Sequence, residues 1–280
     1  MQLVLMKAAK SGGAGASAMA LSVCTLMWIR TTINYQYRYG TSMTVAFRTL
    51  YKEGGIPRFY RGLGPALLQA PLSRFGDTAS NTGTLVLLDS MDATKELPIA
   101  VKTGAASVAA GLFRICLMPV DTFKTTMQVE GKEGIKKLMA KFKVNGPSAF
   151  FQGALASAAA TTVGHYPWFA TYNYLNSVWP RPKDDGTTAT FFKKLGHSAT
   201  IGFASSFTSD CVSNSVRVVK VYKQANTEAI TYPEAVKRII AEDGVIGLFG
   251  RGLSTKIVAN GLQGVMFSIV WKFLEEKYFK

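Results

Sequence analysis

The sequence predicts an all-α membrane protein with six transmembrane helices in three pseudo-symmetric repeats, each carrying a short amphipathic helix between its two spans. Three observations predict it. An aromatic-X-Gly signal recurs as Tyr60-Arg61-Gly62, Phe151-Gln152-Gly153 and, in a looser form, Phe249-Gly250-Arg251-Gly252, with glycines 91 and 99 residues apart. A period of that size decides the architecture, because every unit must then copy one supersecondary piece. The chain reads as a single domain of repeats at about 8–92, 96–182 and 190–280. Each repeat also holds long stretches nearly free of charge. Finally, apolar residues make up 48% of the chain, yet 32 Lys and Arg against 17 Asp and Glu leave a net charge of +15. The charge must therefore gather outside those stretches.

The spans follow in order. Ser11 to Ile29 gives 19 residues without a charge, and Gly153 to Pro180 gives 28 without Asp, Glu, Lys or Arg. Gly62–Leu88, Leu97–Met118, Leu195–Ser209 and Gly252–Trp271 are similar but punctuated. A helix needs about 20 mostly apolar residues to cross the hydrocarbon. Small residues dominate Ser11–Ala18 and Ala154–Thr162, and in lipid such faces let helix backbones pack closely. Cys24, Cys116 and Cys211 all fall inside spans; an odd count with no close pair gives neither a disulfide framework nor a metal motif. Met1–Lys10 is short and no cleavable signal peptide is expected.

The segments between paired spans are basic. The first carries Arg38, Arg48, Lys52, Arg58 and Arg61 against Glu53. The second carries Lys132, Lys136, Lys137, Lys141 and Lys143 against Glu130 and Glu133, and the third is more balanced. This bias puts the three segments on the inner face of the membrane and both termini on the other.

The sharpest motif is Pro119-Val-Asp121-Thr-Phe-Lys124-Thr-Thr-Met-Gln128. Proline bends a spanning helix. Asp121 and Lys124 share a helix face, from which each can reach a charge on a neighbouring helix. The first residues of Glu53-Gly54, Asn145-Gly146 and Asp243-Gly244 also stand 8 or 9 before the repeat glycines. On these features the chain resembles the mitochondrial carrier family, which repeats Pro-X-Asp/Glu-X-X-Lys/Arg-X-X-X-Gln on its odd helices and Glu-Gly after each matrix helix. The resemblance implies the mitochondrial carrier fold in the mitochondrial inner membrane, with both termini toward the intermembrane space. Three helix pairs would surround a cavity that opens alternately to either side.

Departures from the pattern sharpen the reading. Trp28 stands in the proline slot of repeat one, Arg30 in its acid slot and Ile33 in its basic slot. In repeat three, Ser215, Arg217, Lys220 and Gln224 fill the proline, acid, base and glutamine slots. The family's matrix gate closes by three ion pairs, each between one repeat's acid and the next repeat's base. Only Asp121 with Lys220 is left; Arg30 would face Lys124, and Arg217 would face Ile33. The opposite gate needs an acid followed by a base, which Asn81–Leu85, Tyr172–Asn176 and Trp271–Glu275 all lack. An unpaired Arg30 or Arg217 would attract an anion.

Spacing supplies the cavity candidates. Gln69, Arg74, Asp77 and Asn81 follow one helix face. By resemblance, Gln69, Thr161 beside Ala160, and Asn260 beside Ala259 occupy the substrate contact points. Arg114 and Asp210 are equivalent positions on two odd helices, as are Arg74 and His165 on two even ones, and Gln263 completes the polar set. The alternative reading pairs Arg74 with Asp77 and Arg114 with Asp210 as structural ion pairs. Helix starts at Gly40, Gly62, Gly153 and Gly252 offer free N–H groups to phosphate. The resemblance implies that they clamp cardiolipin, with Arg61 and Arg251 adding charge.

No glycine-rich nucleotide loop, metal-ligand cluster or catalytic triad is present. The sequence therefore argues against an enzyme, a metal site and any cofactor beyond bound cardiolipin. The basic residues flank spans instead of forming one patch, which argues against nucleic acid. The resemblance implies transport of a small anionic metabolite across the inner mitochondrial membrane. The alternative is a transport-impaired protein of the same fold, serving as an accessory subunit of a large inner-membrane respiratory or synthase complex.

Overall fold

Helix follows helix along the chain, and among the described residues there is no strand. The computed structural model describes residues 2–182, 187–226 and 228–278. Its helical side chains are described from Ala20 to Met266, apart from 74, 78, 81, 82, 100, 188, 191 and 265. Repeat one comprises α1 (Gln2–Tyr39), α2 (Met43–Phe59) and α3 (Leu63–Ser90). Repeat two comprises α4 (Ile99–Cys116), α5 (Met118–Glu130), α6 (Gly134–Asn145) and α7 (Ala154–Val178). Repeat three comprises α8 (Thr188–Ala225), α9 (Tyr232–Gly250) and α10 (Leu253–Tyr278). The short helices begin where their capping residues predict: the Ser42 and Thr231 hydroxyls accept from the N–H groups of Val45 and Glu234.

Proline decides which odd helix breaks. Repeat two, with Pro119, is interrupted at Leu117 and divides into α4 and α5. Repeats one and three have Trp28 and Ser215 in that slot, and their odd helices α1 and α8 each run unbroken for 38 residues. The missing prolines thus leave one broken odd helix among three.

The long helices close into a ring. α1 packs on α3 and α10, α3 on α4, α4 on α7, α7 on α8 and α8 on α10, while α5 meets α1, α3 and α8 inside. Polar residues share the interior of the ring with an apolar core that includes Leu26, Ile29, Val218 and Ile239. Thr31, Thr32, Gln36, Ser73, Ser107, Ser205, Ser213 and Asn214 are buried, whereas Leu72, Phe75, Val86, Leu112, Leu155, Phe203 and Phe207 are exposed. Large apolar residues on the outer surface and polar ones within suit helices surrounded by lipid.

Among the described residues no single helix is both long and apolar enough to cross a membrane, although one pair bent by 69°, Val101–Cys116 with Met118–Val178, is. The inward polar residues supply the reason, since they dilute the hydropathy of each window. Length is not limiting, since the 28 residues of α3 extend about 40 Å against a hydrocarbon core of about 30 Å.

A cation from each short-helix segment caps the end of the next repeat's odd helix. Arg58 donates to the carbonyls of Gln128 and Val129 at 2.8 and 2.7 Å. Lys141 donates to the Gln224 carbonyl at 2.9 Å, and Arg251 reaches those of Tyr37 and Arg38 at 3.5 and 3.3 Å. Tyr37, Gln128 and Gln224 occupy the same repeat position, nine residues beyond Trp28, Pro119 and Ser215. Cations suit these sites because the last carbonyls of a helix are unsatisfied and carry the negative end of its dipole.

Lys141 titrates abnormally. Burial lowers its pKa from 10.5 to about 8; Glu130 opposes the shift, while Arg38, Lys223 and Lys137 add to it. Below pH 8 both folded and unfolded states hold the proton, and the folded state bears the full cost. Between 8 and 10.5 only the unfolded state holds it, so stability rises with pH by about 3 kcal/mol from this group. Lys141→Met should flatten that rise, which thermal unfolding in detergent at pH 8 and pH 10 would measure. Equal gains in both proteins would refute it.

Candidate functional site

The interior of the ring holds two joined lobes. The larger, about 450 Å³, lies among α3, α4, α7 and α8, lined by Asp77, Arg114, Thr161, His165, Trp168 and Phe169 among others. The smaller, about 310 Å³, lies among α1, α5, α8 and α10 and includes Arg30, Lys124, Lys256, Asn260 and Gln263. Gln69, Arg114, Asp121, Arg217 and Lys220 line both.

Between the lobes stands a knot of five side chains. The break at Leu117 starts α5 afresh and puts Asp121 in its first turn, at the favourable end of the helix dipole. One Asp121 oxygen meets Lys124 at 2.8 Å, and the other meets Lys220 of α8 at 2.7 Å. Gln69 of α3 donates to Asp121 at 2.8 Å and accepts from Lys124 at 2.7 Å. Gln224 donates to Asp121 at 3.2 Å. Every donor at this carboxylate is thus a cation or an amide, and α3, α5 and α8 are tied at one point.

Lys124 therefore turns to its own helix and does not face Arg30. Arg30 donates instead to Gln263 Oε1 at 3.2 Å. Nor is Arg217 idle opposite Ile33: it donates to Ser213 at 3.1 Å and approaches Asp210 to 3.9 Å. Gln128 sits behind the knot, accepting from Asn34.

The cavity pairs also differ from the sequence expectation. Arg114 bonds Asp77 at 2.7 Å and Ser73 at 2.6 Å across the α3–α4 contact, not Asp210. Asp210 lies instead with Lys256 of α10 at 3.7 Å and accepts from Asn260. Helix repeat explains the error: equivalence shows which positions match, but α3 is the immediate neighbour of α4, so Asp77 reaches Arg114 first. The Arg74 and Asn81 side chains, and those of Trp271–Glu275, lie outside the described residues. His165 lies edge-on to Phe169 in the lobe wall, and Thr161 bonds the Ser157 carbonyl on its own helix.

The repeat glycines have a packing role that sequence did not show. Gly62, Gly153 and Gly252 all have positive φ, at 84, 90 and 65°, and head α3, α7 and α10. A Cβ on Gly62 would lie 2.9 Å from the Lys124 carbonyl oxygen. On Gly153 and Gly252 it would lie 3.4 Å from those of Lys220 and Ile33. The three carbonyls belong to one repeat position, so each glycine seats the next repeat's odd helix at its basic slot. Gly40 also has positive φ, with the Asp243 carboxylate against it. Arg251, expected at lipid, is instead buried: it bonds Glu242 at 2.9 Å and Asp243 at 2.7 Å. Its charge is spent inside the protein. Arg61 is half-buried at the turn before Gly62.

Lys256, four residues beyond Gly252, is the site residue that sequence reasoning missed. It lies in a punctuated span with no motif around it, and only the helix start at Gly252 could have placed it one turn into the cavity.

Comparison with known proteins agrees with this architecture. The family model described as "Mitochondrial carrier protein" matches residues 2–82, 95–183 and 192–280, which is nearly the whole chain. A protein of Arabidopsis thaliana described as "Protein MITOFERRINLIKE 1, chloroplastic" is 21% identical over 180 residues, covering 62% of this chain and 42% of that relative. The match thus spans less than half of the relative's length.

Proposed function

The chain belongs to the mitochondrial carrier family, a family of membrane transporters, and from that premise we propose that it moves a small anionic metabolite across the mitochondrial inner membrane. The observation that carries the reading is charge. Arg30, Arg114, Lys124, Arg217, Lys220 and Lys256 line the two lobes, against Asp77 and Asp121, with Asp210 just behind. Cations in excess inside a membrane are costly unless an anion visits them. Buried polar atoms without a partner, Asp77 Oδ1 and Arg114 Nε, border the larger lobe and mark where a solute's own polar groups would be satisfied. In this reading the Asp121 knot is the gate toward the matrix, and both termini face the intermembrane space. The chloroplastic relative leaves the organelle as part of the proposal.

Flux of a panel of small carboxylates and phosphates into proteoliposomes tests the reading. Arg114→Ala should abolish the thermal stabilisation that a transported anion gives the wild-type protein. Unchanged stabilisation would take Arg114 out of the site.

A second reading rests on the unbroken α1 and α8. Two of three odd helices lack the kink, so a bundle that ties a larger assembly together and carries no solute would look the same there. Native electrophoresis of mildly solubilised membranes separates the two: comigration with a very large complex and no flux would favour the structural role.

A further inference from the structure

The two cation pairs of the smaller lobe differ in kind from the gate. At Asp121, nitrogen-to-oxygen distances are 2.7 and 2.8 Å, those of tight charge-assisted hydrogen bonds. Asp210, by contrast, stands 3.9 Å from Arg217 and 3.7 Å from Lys256, outside that range. Its closest partner is the neutral amide of Asn260. Arg30 has a neutral amide oxygen, that of Gln263, as its partner. All three cations line one lobe of about 310 Å³. Among the described residues Asp210 is the one acid near these three cations, which leaves two of their three positive charges uncompensated.

The three cations also come from three helices: α1, α8 and α10. Of these, α1 and α10 lie outside the knot, which joins α3, α5 and α8, so α8 is the one helix common to both clusters. Arg30 and Arg217 occupy the two slots where an acid would have closed the remaining gate pairs. A carboxylate from the protein is missing at both, and the cations that replace it would draw a carboxylate or phosphate from the solute.

We propose that Arg30, Arg217 and Lys256 form an anion subsite whose ligand, a compact oxyanion group bearing two negative charges, bridges α1, α8 and α10 and completes the gate that Asp121 and Lys220 close on one side only. This rests on the transport reading and adds to it. The solute's charge becomes a structural part of the closed state, so closure toward that face requires the solute. A monoanion would leave one cation unpaired and bind less tightly, since each lost charge-assisted bond costs about tenfold or more in affinity.

Thermal stabilisation of the full-length protein in detergent, titrated separately with inorganic phosphate, succinate and acetate, tests it. Phosphate or succinate should stabilise the wild type and acetate should not; which dianion acts distinguishes a phosphoryl from a dicarboxylate ligand. Arg30→Gln and Lys256→Gln should each weaken the response about tenfold or more. Lys256→Arg, which keeps the charge, should retain it and so exclude a folding defect. If the dianions stabilise and are transported but both glutamine variants respond as wild type, the subsite is overturned and the transport reading stands. If acetate stabilises as well as succinate, the two-charge requirement is overturned. If neither dianion stabilises the wild type, the subsite is overturned, and flux of the wider solute panel decides the transport reading separately.

Discussion

Asp121→Asn should destabilise the protein by about 3–5 kcal/mol, the cost of breaking a buried ion pair from one side. The Asp121 side chain is only 4% exposed and faces Lys124, Lys220, Gln69 and Gln224 together. An amide of the same shape leaves the two ammonium groups without a counter-charge and turns one acceptor oxygen into a donor, facing either Lys124 with Gln69 or Lys220 with Gln224. Because the knot ties three helices, the loss should also open the bundle at this level. Thermal unfolding in detergent measures the first effect. Labelling of a cysteine placed at Thr125, which is buried beside the knot, measures the second. Adding Lys220→Gln to Asp121→Asn should recover part of the stability, since it removes one of the stranded charges. A double variant no more stable than the single one would show that the ion pair is not the source.

Gly62→Ala should cost about 2–4 kcal/mol, although it adds one methyl group. The residue has φ of 84°, a region where a side chain is strained. Its new Cβ would lie 2.9 Å from a backbone carbonyl, that of Lys124, and 3.3 Å from Met127 Cβ. A backbone atom cannot rotate away, so α3 and α5 must separate, and Lys124 would move with its own carbonyl. Gly64 provides the contrast two residues later. It is helical, with nothing within 4 Å of a Cβ, and Gly64→Ala should be neutral or stabilise by up to about 1 kcal/mol. Chemical denaturation of the two variants under one set of conditions decides the matter. Equal stabilities would mean that the glycine is a mere helix start.

Much of this was legible in the sequence because it depends on backbone chemistry. Proline lacks the N–H that a continuing helix needs, so Pro119 in the repeat motif marked the division of α4 from α5, and Trp28 and Ser215 in the same slot marked the continuity of α1 and α8, although α3 and α7 run on through Pro71 and Pro167. Glycine at the head of each even helix was legible for the same reason. The Asp121–Lys220 pair was legible because repeat position fixes which helix faces which. Side-chain reach was harder to read. Arg114 could turn toward α3 or α8 with equal warrant from spacing, and only the packing of α4 on α3 selects Asp77. The capping cations were hidden differently. Arg58, Lys141 and Arg251 stand 4, 12 and 1 residues before their repeat glycines, so no offset aligns them. Repeat reasoning finds the same residue at the same position; here the same job is done from three different positions. Arg251 was misassigned because a cation beside a helix start has two ways to be useful, and Glu242 and Asp243 lie close enough to claim it.

The broken helix of repeat two has a mechanical consequence. A ring whose three odd helices all bend can widen evenly, like the leaves of an iris. Here two of the three run unbroken for 38 residues, and the joint at Leu117 is confined to one. If the proposed gate opens, such a ring would swing as a door does, with α1 and α8 as posts, α5 as the leaf and the Asp121–Lys220 pair as the latch on its free edge.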